Sequence, residues 1–270
     1  MEWIGYLCAA SIGIVMGLMG SGGSMMLPVL AYLFAKDANL TSAYSIFVIG
    51  LTSIIGTFGK VREDIIPYKV TFAFLIPALL STWFARWALV PMVPEHLLEI
   101  GDFVLVKKQG LLILFAVILV FSGLSMITGF ADKLKERSQA HFSWPSLIIS
   151  AIVIGLLSGM LGTGGGFMIV PALIMTAGLE IKEAAAGALV IVAVKSLVGF
   201  FAGDAITMGD QIEWNFLAKV AGVMITGILL GNWLSNHLPA ERIKRGFAYI
   251  TLALAVFVLG KEMIWPLLAH

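Results

Sequence analysis

Gly17-Leu-Met-Gly-Ser-Gly-Gly-Ser-Met-Met-Leu-Pro28 and Gly159-Met-Leu-Gly-Thr-Gly-Gly-Gly-Phe-Met-Ile-Val-Pro171 are one pattern written twice, the second copy carrying one extra residue. Beyond the prolines the register holds: Ala43 meets Ala186, Ser53 meets Ser196, and Gly56 meets Gly199. Further along, Trp87 falls opposite Trp233, Pro94 opposite Pro239, and Gly110 opposite Gly246. A match tracking through five apolar segments marks an internal duplication rather than a chance run of glycines. The expected units are a first repeat over 1–130, a charged linker over 131–143, and a second repeat over 144–270.

Working outward from these blocks, each half divides alike. The first half has apolar segments at about 3–19, 25–36, 41–59, 69–92 and 108–130; the second has them at about 144–161, 167–178, 183–203, 213–236 and 246–268. Val93–Lys108 is an extra, partly amphipathic connection. The 270 residues are 60% apolar and only 12% charged. Soluble domains carry roughly 25% charged residues, so lipid is the solvent that suits this chain. Gly110–Phe130 runs 21 residues and Phe142–Leu179 runs 38 without a charge. A helix spans the hydrocarbon core with about 20 apolar residues, and both runs suffice. The fold class expected is an all-α, multi-pass integral membrane protein. Residues 3–19 are mature structure rather than a leader, because Met1-Glu2 offers no basic start and the segment recurs inside the chain.

The second segment of each half is too short for an ordinary crossing and reads as a half-helix, broken from its predecessor by the glycine loop. Adjacent glycines disfavour helix by nearly 1 kcal/mol each. A broken helix frees backbone N–H groups that are costly in lipid unless they line a cavity or bind a ligand. The half-helix after each loop points its positive end back at the loop, which suits an anion. The candidate binding residues are therefore Gly20, Ser21, Gly22, Gly23 and Ser24 in the first loop, and Gly162, Thr163, Gly164, Gly165 and Gly166 in the second. Gly13-xxx-Gly17 and Gly155-xxx-Gly159 read instead as close helix packing. No Gly-Lys-Ser/Thr follows either loop, so neither is a phosphate loop of the nucleotide-binding kind.

Lys195 sits near the middle of its apolar segment. A cation at the centre of a membrane helix costs about 2.5–3.5 kcal/mol, so it either turns into a wet cavity where an anion can meet it or snorkels outward. Its repeat partner is the neutral Thr52. Ser53 and Ser196 follow at matched positions and are further candidates for the same cavity. Arg86 and Lys219 lie nearer segment ends and read as interfacial. His96, His141, His237 and His270 are scattered without metal-ligand spacing, so no metal and no cofactor is expected. Cys8 is alone, which excludes an intrachain disulfide. The apolar segments hold neither a Ser/His/Asp set nor paired carboxylates, which disfavours an enzyme. A net charge of +1 with no dense basic block disfavours nucleic acid.

The two glycine–proline blocks, with Ala184-Ala-Ala-Gly-Ala188 behind the second, resemble the TauE/SafE sulfite-exporter family of anion permeases. The resemblance covers essentially the whole chain. It implies a transporter in a prokaryotic plasma or inner membrane for small sulfur-containing anions such as sulfite, sulfoacetate or thiosulfate. Ala43-Tyr-Ser-Ile departs from the small-residue pattern in the first half. The reading is an alternating-access permease with a midplane site; an anion channel and a non-transporting assembly subunit are the alternatives. Coupling to protons or sodium, and the oligomeric state, are open at this level.

The distribution of Lys and Arg selects a topology. If each short segment returns to the side it left or forms a hairpin, ten cations share one side: Lys60, Arg62, Lys69, Lys133, Lys135, Arg137, Lys182, Arg242, Lys244 and Arg245. Five lie opposite: Lys36, Arg86, Lys107, Lys108 and Lys261. That parity puts both termini outside and makes the halves an inverted repeat. A cysteine placed at residue 270 in a Cys8→Ser background should therefore react with an impermeant maleimide from the extracytoplasmic side. Reaction from the cytoplasm alone would contradict the inverted arrangement.

Overall fold

A computed structural model describes residues 2–34, 38–89, 92, 94, 96–100, 103–130, 132–133, 136, 142–161, 165–205 and 212–260. The described residues form ten main helices in two series of five. The first series is α1 (Glu2–Met19), α2 (Met26–Tyr32), α3 (Ala38–Arg62), α4 (Tyr68–Phe84) and α5 (Lys107–Ile127). The second is α6 (Trp144–Leu161), α7 (Gly166–Ala177), α8 (Ile181–Gly199), α9 (Trp214–His237) and α10 (Ala240–Leu259). Among the described residues, four spans are long and apolar enough to cross a membrane by themselves: Leu40–Arg62, Tyr68–Leu89, Ile181–Ala202 and Trp214–His237.

The breaks fall where glycine permits them. Gly20 (φ 67°), Gly22 (φ 123°) and Gly165 (φ 72°) take left-handed backbone that side chains resist, and a 3₁₀ turn over Gly23–Met25 restarts the chain into α2. Gly178 (φ 67°) ends α7, its N–H donating to the Ile174 carbonyl at 3.1 Å. Glu180 then opens α8 with a capping box, its own N–H bonded to Glu183 Oε2 at 2.9 Å.

Two points differ from the sequence pattern. The tenth helix begins at Ala240, capped by Pro239, so Arg242, Lys244 and Arg245 ride on its first turns rather than in a loop ending near 246. Pro fits this position because its fixed φ suits a helix start. The extra connection is an antiparallel hairpin, β1 (His96–Ile100) with β2 (Phe103–Val106), in which Ile100 faces Phe103 and Glu99 faces Val104. Phe103-Val-Leu-Val106 is rich in β-branched and aromatic residues, which favours a strand over a helix.

Packing is reciprocal between the two series. α1 lies along α9, while α6 lies along α4; α3 pairs with α8, and α5 with α10. Small residues make the first two contacts. A Cβ on Gly13 would stand 3.1 Å from the Gly227 Cα, and one on Gly231 would stand 3.0 Å from the Gly17 Cα. Across the other contact, a Cβ on Gly159 would fall 3.1 Å from the Thr82 Cα. Both Gly-xxx-Gly pairs are thus packing surfaces. Between lipid-embedded helices there is no hydrophobic drive, so close backbone approach and dispersion must supply the attraction. Asp132, just beyond α5, forms an ion pair with Lys244 on α10.

Gly231→Leu should therefore lower the stability of the detergent-solubilised protein by about 1–3 kcal/mol, the usual cost of overpacking. Gly222→Leu on the same helix should be near neutral, because nothing lies within 4 Å of an added Cβ there. Equal unfolding transitions for the two variants would refute the small-residue account.

Candidate functional site

α4 and α8 run side by side in the same direction. Gly187 sits against Thr71 near their starts, and Gly199 sits near Arg86 at their ends. Each helix finishes in a π-helical turn, Ala85–Leu89 on α4 and Phe200–Asp204 after α8. Such turns widen the coil and often mark functional positions. Between these ends lies a cavity of about 550 Å³.

Lys195 is the chemical centre of that cavity. The side chain is 5% exposed, and its Nζ donates to Ser158 Oγ of α6 at 3.1 Å. No carboxylate pairs with it among the described residues. Arg86 lines the same cavity from the first π turn, so two cations share one space. Ser196, on the next residue of α8, also lines it, and its buried Oγ has no partner among the described residues. Thr82 supports the wall by donating to the Gly155 carbonyl at 3.0 Å. Trp83 and Trp87 stack at the outer edge, with centroids 5.9 Å apart and planes 3° apart. Two cations and two hydroxyls in a largely apolar cavity hold electrostatic potential that an anion would neutralise.

The described residues of the glycine loops stand beside this cavity rather than in its wall. Gly165 packs on Ser158, a Cβ there falling 2.7 Å from the Ser158 Cβ, so the second loop reaches the site through the serine that holds Lys195. Gly166 meets the first loop, a Cβ on it falling 3.3 Å from the Ser21 Cβ. Gly162, Thr163 and Gly164 lie outside the described residues. In the first loop, packing accounts for the glycines: Gly20 abuts the Ala185 backbone, Gly22 abuts Val15, and Gly23 abuts Ile49. Ser21 and Ser24 are buried, and the Ser21 Oγ has no partner among the described residues. Ser53 is buried on α3, outside the lining of the cavity, and its Oγ is likewise unpartnered. The structure therefore brings together Lys195 and Ser196 directly, and Gly165 and Gly166 at one remove.

Arg86 and Ser158 belong to the cavity although the sequence did not single them out. Arg86 stands near a segment end, where a cation is ordinarily interfacial, yet within the π turn it lines the cavity. A signal did exist in the duplication: with Trp87 opposite Trp233, Arg86 falls opposite Asn232, a polar residue that is itself buried.

The described helices, four of them long and apolar enough to span, are those of a multi-pass membrane protein. The chain belongs to the sulfite exporter TauE/SafE family, whose model matches residues 4–258. It is 25% identical over 259 residues to a probable membrane transporter protein of Xylella fastidiosa, covering 93% of this chain and 92% of that one. A probable membrane transporter protein of Methanocaldococcus jannaschii is 26% identical over 199 residues, 70% of this chain and 68% of the other. One from Haemophilus influenzae is 24% identical over 265 residues, 93% and 95% of the two chains. No solved structure matches the chain. The protein is thus a multi-pass transporter of the prokaryotic cell membrane.

Ser158→Ala would strip the buried Lys195 of its hydroxyl. Leaving a buried charge under-satisfied costs about 1–3 kcal/mol, so this variant should melt earlier than wild type in anion-free buffer. Ser150→Ala, whose Oγ bonds only the Leu147 carbonyl on its own helix, is the control and should change little.

Proposed function

We propose that this transporter carries small sulfur-containing anions, with sulfite, sulfoacetate and thiosulfate as the leading substrates, by alternating access around the Lys195 cavity. The observation that carries the reading is Lys195 itself. It is a cation buried within a membrane span, bonded to a serine, with Arg86 in the same cavity. Such a charge is expensive in lipid, and a bound anion offsets the cost. The family membership supports the substrate class. Ser158 and Ser196 supply hydroxyl donors, and the N-terminal end of α7 lies behind Ser158 at Gly165.

The mechanism reads as follows. The anion enters between the C-terminal ends of α4 and α8, exchanging its hydration for Lys195, Arg86 and the two serines. Charge-assisted contacts of this kind are short and strong at reduced dielectric. Loading neutralises the cavity, which lowers the penalty for closing it against water. One half then rocks against the other. The reciprocal packing of α1 on α9 and α6 on α4 supports two inverted halves, since a rigid-body exchange between equivalent arrangements is the motion such halves permit. The glycine loops, where the halves meet at Ser21 and Gly166, mark the pivot.

Lys195→Met keeps the length and removes the charge. Losing about 1.5–3 kcal/mol of charge-assisted contact should weaken sulfite or thiosulfate binding ten- to a hundredfold. Arg86→Gln should weaken it less, Arg86 being only half-buried. Thr52→Ala, at the neutral repeat partner, should leave affinity near wild type. Binding and counter-gradient uptake in proteoliposomes check all three; unchanged affinity in Lys195→Met would remove the cavity as the site.

A further inference from the structure

The Lys195 cavity has a repeat counterpart at the opposite end of the molecule, and there the same positions are closed. The duplication places Thr52 where Lys195 stands, Ser53 where Ser196 stands, Gly56 where Gly199 stands, and Asn232 where Arg86 stands. The match is spatial as well as sequential. Arg86 Nη1 lies 3.8 Å from the position of a Cβ on Gly199, and Asn232 Nδ2 donates to the Gly56 carbonyl at 2.9 Å. α3 and α9 also run in parallel, with the Glu213 N–H donating to Tyr44 Oη near their starts and Glu63 meeting Asn236 at their ends.

Where α4 and α8 stand apart, α3 and α9 are drawn together. Ile228 fills the space over Gly56, and the Asn232 amide packs on Gly59, 2.9 Å from the position of an added Cβ. Beyond them a polar array ties the two helix ends. Lys60, only 1% exposed, donates to Glu63 Oε2 at 3.2 Å, and Glu63 Oε1 accepts from Asn236 Nδ2 at 2.7 Å. Asn232 Oδ1 on this seam has no partner among the described residues, and neither have the buried Thr52 Oγ1 and Ser53 Oγ, one turn before Gly56 on α3. A permanently dry interface rarely leaves such atoms unpaired. A surface that is wetted in another conformation has reason to keep them.

We infer that the α3–α9 seam is the second mouth of the transport path, lined by Thr52, Ser53 and Asn232. The Asn232–Gly56 bond and the Lys60–Glu63–Asn236 array are the clasp that shuts it in this conformation. The inference rests on the transport reading and on the duplication. It also gives the path a direction of affinity: the open mouth holds two cations, whereas the shut one offers neutral hydroxyl and amide groups, with Lys60 at its rim. An anion held strongly at the first is released at the second.

The test is a cross-link across the clasp, Glu63→Cys with Asn236→Cys in a Cys8→Ser background. Oxidation should cut uptake of sulfoacetate, a sulfonate that does not cleave disulfides, into proteoliposomes by about tenfold or more, and reductant should restore it. The cross-linked protein should still be stabilised thermally by the same anion, because the Lys195 cavity stays open. Uptake unchanged by the cross-link would overturn the inference. Absence of anion stabilisation even in the reduced protein would instead remove the transport reading beneath it. A second measurement is independent of flux. In a Ser53→Cys background, Glu63→Gln should raise the rate of maleimide labelling from the Glu63 side about fivefold, since it loosens the clasp; an unchanged rate would overturn the proposal as well.

Discussion

Everything in this fold follows from the rule that no backbone N–H or C=O can be left bare in hydrocarbon. The chain breaks two of its helices at glycine, around Gly20–Gly23 and Gly165, and a break of that kind survives only if protein surrounds it on all sides. The walls are supplied by the closest helix contacts in the molecule. Gly13 and Gly17 bring α1 against α9, and Gly155 and Gly159 bring α6 against α4. Those contacts hold the stems of the two loops, while α8 fills the centre with alanine and places Ala185 directly on Gly20. Interrupted helices and small-residue packing are therefore one design: the first is tolerable only because of the second.

Against that neutral, tightly packed centre the cavity at the ends of α4 and α8 is an electrostatic exception. Lys195 is surrounded by the same kind of small and branched residues that make the rest of α8 apolar, and Ser158 alone holds its ammonium among the described residues. The cost of placing charge there is not recovered by packing. On the proposed reading an arriving anion recovers it, whereas the ion pair of Asp132 with Lys244 is already compensated within the fold.

The segment plan was legible in the sequence because it depends on local periodicity and on glycine. The order of the helices, the short α2 and α7, and the two Gly-xxx-Gly faces lie where the residue pattern puts them, the start of α10 excepted. The hairpin at 96–106 was visible only as an amphipathic stretch, since five- and four-residue strands give too few repeats to fix a period. The early start of α10 was masked by the charges of Glu241–Arg245, which resemble a loop in composition although they sit on a helix. In the site, Lys195 could be found from sequence because a central cation is costly anywhere in a span. Arg86 could not, because its direction depends on a π turn that no propensity scale encodes. The glycine loops were readable as breaks, but whether a break lines a cavity or braces its wall depends on neighbours more than a hundred residues away.

The π turn over Ala85–Leu89 carries an evolutionary consequence. It holds one residue more than a regular turn would, and each residue of an α-helix advances the side chains by about 100°. Losing a single codon within the turn would restore the regular coil and re-aim the residues beyond the deletion, Trp87 with them, by about 100°. A lineage could thus trade a doubly cationic cavity for a singly cationic one by deletion alone. On the proposed transport reading, a chain without that residue would present a less cationic cavity on the same fold.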